Sequence, residues 1–406
     1  MIGVCFYFQV HQPRRINQDF SFFDIGSSTG YFDDRSNREI LLKVAEKCYL
    51  PANYMMLDLI NKLKGKFRIS YAVTGTAIEQ FQMYAPEVMR SFQELAQTGC
   101  VEFISETYSH SLSYLFSREE FVAQVEKHKK LMQESFGQTP VTFRNTELIY
   151  NNSLAKTVED MGYKVILTEG ADQVLGWRTP NYVYVPSGCY KLRALLKNYR
   201  LSDDIAFRFS DPNWDHHPLH VDTYSSWLHS IAGQGEVVNL FMDYETIGEH
   251  QWADSGIFEF FRRLPETALS HPDFCFTTPS EAADLFSPMA RLDVPYTISW
   301  ADVERDTTAW IGNSMQDASI ERIYALEKDI KEFGTQTMID EWRDLLTSDH
   351  FYYMCTKWFS DGDVHKYFNP FKTPHQAFIT YMNIVNDLTL KVEEVKENIK
   401  CKEQAA

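Results

Sequence analysis

Seven cysteines (Cys5, Cys48, Cys100, Cys189, Cys275, Cys355 and Cys401) are scattered over 406 residues with no Cys-x-x-Cys pair. Their odd number argues against a complete intrachain disulfide framework, and a reducing compartment is the expected setting. Basic residues are in deficit: 39 Lys and Arg stand against 56 Asp and Glu, a formal charge of −17. A surface that tracks phosphates needs the opposite sign, so the expected partner is not a nucleic acid but a neutral or cationic ligand. Nowhere are there about 18 consecutive apolar residues, which excludes a helical membrane span. The opening Met1 to Phe8 lacks a basic n-region and runs directly to His11. The opening therefore reads as a first strand rather than a signal peptide, and a cytoplasmic location is expected. Internal repeats and low-complexity tracts are also missing, and nothing in the sequence speaks to oligomeric state.

What is present is an ordinary globular balance, 44% hydrophobic and 23% charged, with 15% aromatic residues that lean toward a ligand with flat apolar faces. One α/β barrel can absorb roughly 250 residues, so the length suits a barrel with an appendage. Seven short β-rich runs recur between helical stretches: Ile2 to Phe8, Phe67 to Val73, Val101 to Ile104, Val141 to Phe143, Lys164 to Thr168, Val237 to Met242 and Phe274 to Thr277. The intervening segments, such as Arg38 to Lys64, Ile78 to Gln97 and Arg118 to Phe136, are each long enough for a crossover helix. This alternation predicts a parallel sheet with right-handed crossovers, and nearly continuous apolar strands predict cover on both faces. A closed or nearly closed barrel is the economical arrangement. Residues 1–291 are assigned to it, with an insertion at about 170–234 that holds an extra hairpin (Tyr182 to Val185, Leu192 to Leu196) and a strand at Ile205 to Phe209. Residues 292–406 are expected to form a helical domain that completes the cleft.

The strand ends are where the polar residues collect. His11 follows the first, Glu79 lies beyond the second, Glu106 and His110 follow the third, Glu147 the fourth, Glu169 the fifth and Asp243 the sixth. Each alone reads equally well as a helix cap or a surface acid, but a barrel brings strand ends to one mouth, where active sites are built. Two carboxylates on different strands, one ionised and one protonated, are the minimal equipment for cleaving a glycosidic bond, and Glu147 and Asp243 suit that role. Glu245 and Glu249 compete with Asp243, because strand alternation puts Glu245 on the same side. Trp177, Trp214, Trp227, Trp252, Trp300 and Trp310 fall in or near the expected mouth loops, where aromatic faces can pack on sugar C–H surfaces.

His11-Gln12-Pro13, the run from Gly99-Cys100-Val101-Glu102 to His110, Arg144-Asn145-Thr146-Glu147, Asp243-Tyr244-Glu245-Thr246-Ile247-Gly248-Glu249-His250, and Trp300-Ala301-Asp302 through Trp310-Ile311-Gly312-Asn313 resemble, in order, the five motifs of glycoside hydrolase family 57. The stretches Cys355 to Trp358 and Asp361 to His365 resemble its α-amylase-type members. The resemblance implies an incomplete (β/α)7 barrel followed by a helical region, and retaining cleavage of α-glucosidic bonds in an α-glucan or oligosaccharide, with no cofactor or metal. It implies Glu147 as nucleophile and Asp243 as general acid/base, with Gln9, His11, Glu102, His110, Glu245, His250, Trp252, Trp300, Asp302 and Trp310 lining the substrate cleft. Two positions depart from the family pattern: Gln9 stands where a His is usual, and Arg144-Asn145-Thr146 replaces a Trp- and Pro-containing run. 4-α-Glucanotransfer and branching share the first half-reaction. From other classes, a metal-dependent polysaccharide deacetylase would need ligands from His11, His110 and Asp215-His216-His217, and a non-catalytic glycan-binding barrel would keep the cleft without turnover.

Overall fold

The computed structural model describes residues 1–27, 29–357 and 369–405. They form two compact units that are not linear segments. The first comprises Met1–Gln12, Ile40–Glu106 and Val125–Trp300, and the second Pro13–Glu39, Thr107–Gln124 and Ala301–Ala406. The chain therefore enters the second unit three times, a division that differs from a single boundary near residue 291.

In the first unit the strands are β1 (Ile2–Val10), β2 (Ile69–Val73), β3 (Val101–Phe103), β4 (Thr142–Arg144), β5 (Val165–Glu169), β6 (Tyr184–Pro186), β7 (Arg193–Lys197), β8 (Val237–Asp243), β9 (Phe274–Phe276) and β10 (Ala290–Leu292). Parallel pairing runs β2 to β1 to β8 to β7 to β5 to β4, and β3 pairs β2. A bridge between Ser105 and Phe143 joins the third strand to the fourth and closes a seven-stranded ring. This is the expected incomplete (β/α)7 barrel, but its membership corrects the sequence reading. The seventh stave is β7, taken from the sequence as half of an extra hairpin. β6 does pair with it antiparallel, so the turn signal was genuine, while its other edges pair parallel with β5 and β8. β9 pairs only with Ile2–Val4 at the start of β1. The strand expected at Ile205 to Phe209 is the end of a helix, Tyr199–Ala206, capped by the Asn198 side chain on the Leu201 N–H.

Strand alternation sorts the core into two layers. Cys5, Tyr7, Ala72, Ile104, Leu167, Leu195 and Phe241 fill the barrel interior. Phe6, Phe8, Ile69, Tyr71, Phe103 and Leu240 face the helices. Both layers bury apolar surface, which is why the strands read as continuous apolar runs. The helix expected over Arg38 to Lys64 is interrupted by a π-helical turn, Ala45–Tyr49, and the one over Ile78 to Gln97 breaks at Ala85, ahead of Pro86.

The second unit is helical, with Ser314–Ala325, Glu327–Phe333, Gln336–Leu345 and Pro374–Ala405 as its main elements. Trp342 is fully buried and its indole N–H donates to the Ile323 carbonyl at 2.9 Å. Glu120, without solvent exposure, is held by Arg343 at 2.8 Å and Lys331 at 3.0 Å. Among the described residues no helix is long and apolar enough to cross a membrane.

Candidate active site

The last inward-facing residue of most barrel strands is polar or charged. Gln9 is the last inward residue of β1, Thr74 follows β2, Glu106 follows β3, Arg144 ends β4, Glu169 ends β5, Lys197 ends β7 and Asp243 ends β8. Side chains two residues earlier on these strands, such as Tyr7, Leu167, Leu195 and Phe241, are interior core. The barrel thus changes from oil to charge within one layer at its carboxyl end. Contacts link the layer. Gln9 Nε2 donates to Glu106 Oε1 at 2.9 Å, and Arg144 Nη1 lies 3.8 Å from the other Glu106 oxygen. Lys197 Nζ lies 3.0 Å from Asp203 and 3.9 Å from Glu169. Gly170 lets β5 and β7 end side by side, because a Cβ there would fall 2.2 Å from the Lys197 carbonyl oxygen.

Glu147 sits just past β4 in a single 3-10 turn, Thr146–Leu148, with its backbone in the left-handed region (φ 58°, ψ 25°), as is Leu148 at φ 50°. Two consecutive non-glycine residues of this kind carry roughly 1–2 kcal/mol of strain each. The side chain is only partly buried. Trp300 clamps the residue twice: its indole N–H donates to Glu147 Oε2 at 2.8 Å and its backbone N–H to the Glu147 carbonyl at 3.2 Å. The Arg144 guanidinium carbon lies 5.0 Å from the Trp300 ring centroid, and Lys197 Nζ 5.3 Å from it. Beneath them the Tyr7 hydroxyl, donating to Gln9, is pushed well above its ordinary pKa by burial. Arg144 opposes that shift, while Glu106, Asp243 and Glu147 add to it. Arg144, Glu106, Asp243 and Glu147 thus all act on one phenol at the carboxyl end of the barrel.

Asp243, half-buried, is the last residue of β8, in register with Gln9. Glu245 follows in a 3-10 turn, is 7% exposed, and accepts a short hydrogen bond from Tyr49, whose hydroxyl also accepts from Gln12 at 3.0 Å. Burial, and then the charge of Asp243, push the Glu245 carboxyl up to about 8. Glu245 is thus a protonated neighbour near neutral pH, packed away from the mouth. Glu249 is tied to Lys43 at 2.5 Å and Lys47 at 3.7 Å, which occupies it as an ion-pair partner. Burial drops the His250 imidazole to about 4, against the raising effect of Glu249.

The remaining predicted residues divide. His11 Nδ1 lies 3.0 Å from Thr74 Oγ1 at the end of β2. Trp252 is 60% exposed, with Lys47 Nζ 5.6 Å from its ring. Glu102, in contrast, is spent inside the barrel: it accepts from Thr142 Oγ1, from Ser280 N at 3.0 Å and from Ser280 Oγ at 2.8 Å, and so caps the helix Pro279–Leu285. His110, Asp302 and Trp310 belong to the second unit. His110 is buried with φ 52°, Asp302 pairs with Lys357 at 3.1 Å, and Trp310 is 1% exposed, its indole nitrogen having no hydrogen-bond partner among the described residues. Trp214 and Trp227 are not mouth residues. Their rings, 6.2 Å apart, pack with His216 against the outer core layer. Trp358 and Asp361 to His365 lie outside the described residues. Among the described residues no three His, Cys, Asp or Glu side chains are grouped so as to hold a metal. Sequence reasoning missed Tyr7 and Lys197 altogether, and met Arg144 only as a motif departure. Their signal was the inward parity of the strands.

A parallel barrel that gathers acids from separate strands at its carboxyl end is the architecture of a barrel hydrolase. The chain belongs to glycosyl hydrolase family 57, whose profile matches residues 5–295. It is 44% identical over 404 residues to a Methanocaldococcus jannaschii protein named "Putative alpha-amylase", covering 97% of this chain and 85% of that one. Two solved structures share the fold. The branching enzyme of Pyrococcus horikoshii superposes with a TM-score of 0.67 at 15% identity, over 93% of this chain and 88% of its own. The α-amylase AmyC of Thermotoga maritima does so with a TM-score of 0.60 at 13% identity, over 97% and 96%.

Proposed function

We propose that the protein cleaves α-1,4-glucosidic bonds of maltooligosaccharides, starch or glycogen with retention of configuration, using Glu147 as nucleophile and Asp243 as general acid/base. The observation that carries this reading is the held state of Glu147: a left-handed backbone and a double clamp by Trp300 fix one carboxylate at a strand end. Fixing a nucleophile on a rigid turn removes orientational freedom before substrate arrives. The kinship with a protein named as an α-amylase supports the choice of substrate.

In the first step a Glu147 oxygen bonds to the anomeric carbon while the bond from that carbon to the leaving oxygen breaks. The electron pair stays on the leaving oxygen, which takes the proton of Asp243. In the second, the Asp243 carboxylate removes a proton from water as the water oxygen displaces Glu147. An acceptor sugar hydroxyl in place of that water gives transfer or branching by the same route. Incubation with maltoheptaose distinguishes these: only shorter sugars report hydrolysis, longer ones transfer. Glu147→Gln should abolish turnover. Asp243→Asn should keep the first step on substrates with a good leaving group, and azide should then release product of retained configuration. Full activity in Glu147→Gln would sink the assignment.

A further inference from the structure

Arg144 is the most anomalous group in the barrel. Its side chain has no solvent exposure, and none of Nε, Nη1 or Nη2 has a hydrogen-bond partner among the described residues. Glu106 at 3.8 Å is its ion-pair partner, but that carboxylate also accepts from Gln9 at 2.9 Å. A buried guanidinium without hydrogen bonds costs several kcal/mol, and a structural role alone would be served by an apolar residue of the same volume. What Arg144 does face is the ring of Trp300, whose N–H holds Glu147. Lys197 approaches the same ring.

We propose that Arg144, assisted by Lys197, is a positioning residue for Glu147: through the Trp300 ring the two buried cations hold the indole N–H on the carboxylate and keep that carboxylate ionised. A cation over an indole face fixes the ring by cation–π attraction, and in a low-dielectric floor its field also favours the anion at the ring's N–H edge. The charged groups that act on the Tyr7 hydroxyl at this end of the barrel are Arg144 on β4, Glu106 after β3, Asp243 on β8 and Glu147 itself, and Lys197 at the end of β7 lies beside Glu169 and Asp203. The Glu106 carboxylate disfavours a further anion there, and Arg144, 3.8 Å from it and 5.0 Å from the ring that holds Glu147, is a cation placed to offset it. The inference rests on the reading of Glu147 as the nucleophile, and it explains why a large cation tolerates burial where the family pattern has Trp and Pro.

The test is isotope-edited infrared titration of the Glu147 carboxylate, taken as the difference between each protein and its Glu147→Gln counterpart. Arg144→Met should raise the midpoint by about one pH unit or more, while Arg144→Lys, which keeps the charge, should stay close to the parent. In kinetics the acid limb of kcat/KM should move up with the infrared midpoint, at little change in KM. An unchanged midpoint in folded Arg144→Met would overturn the proposal and leave Arg144 a stabiliser of Glu106. If Arg144→Met does not fold, Arg144→Met/Glu106→Gln is compared with Glu106→Gln alone, with the same expected rise and the same refuting result. The infrared readout needs no turnover, so an active Glu147→Gln enzyme would refute the assigned chemistry while leaving this measurement intact.

Discussion

Replacing Glu245 with Gln removes a carboxyl that the fold keeps protonated near neutrality, and the consequence for stability can be worked through. Its folded pKa is about 8 against an ordinary 4.5, driven first by burial and second by the charge of Asp243, against hydrogen bonds from Tyr49 and Gln12. Below pH 4.5 the group is protonated in both folded and unfolded chains and makes no difference. As pH rises the unfolded chain ionises first, so wild-type stability declines until about pH 8 and is level beyond it. A gap of roughly 3.5 units at about 1.4 kcal/mol per unit sets a ceiling of about 5 kcal/mol on the loss. The Gln variant cannot ionise and should lose this slope. Urea unfolding of both proteins from pH 4.5 to 9 gives the difference, in which titrations not coupled to Glu245 cancel. The variant should be near parity or slightly weaker at the acid end, where its hydrogen bonds with Tyr49 and Gln12 are altered, and several kcal/mol more stable at pH 8.5. Parallel profiles for the two proteins would refute the reasoning. Asp243→Asn should shift the midpoint of the decline downward, since it removes the second-largest cause.

Three further substitutions probe the site from other directions. Trp300→Phe keeps the ring but deletes the 2.8 Å donor to Glu147, and kcat/KM should fall roughly tenfold to a hundredfold, as expected for a hydrogen bond to a charged group, with near-normal thermal unfolding. Glu102→Ala orphans the Thr142 and Ser280 donors and should cost about 2–4 kcal/mol by denaturant titration, while the folded fraction retains its specific activity. Gly248→Ala puts a Cβ 2.1 Å from the Lys47 carbonyl oxygen at a φ of 106° and should lower stability by about 2–4 kcal/mol in a calorimetric scan, with loss of activity because the π-helical turn must shift.

The barrel was legible because its strands are buried on both faces, so apolar runs between amphipathic segments mark them whatever their order in space. Six of the seven staves follow from that pattern. β7 was hidden because it ends in Lys197 and opens with a true hairpin turn, and only its pairing with β5 and β8 reveals it as a stave. The acids of the mouth were legible as strand ends, whereas Glu102 misled because a motif position says nothing about where a carboxylate spends its hydrogen bonds. Trp214 and Trp227 misled similarly, since a loop aromatic can as readily cover the outside of a sheet as a ligand. Arg144, Lys197 and the Tyr7 phenol could not be assembled from the sequence. Arg144 and Lys197 meet over the Trp300 ring, contributed from far along the chain, and Arg144 acts on Tyr7 across the barrel.

The backbone of Glu147 has a consequence for reading related barrels. Glycine and asparagine occupy the left-handed region at little cost, and glutamate does not. Selection for stability alone would therefore drift position 147 toward Gly or Asn. On the reading of Glu147 as the nucleophile, a related chain that has Gly or Asn at this position is expected to hold sugars without cutting them.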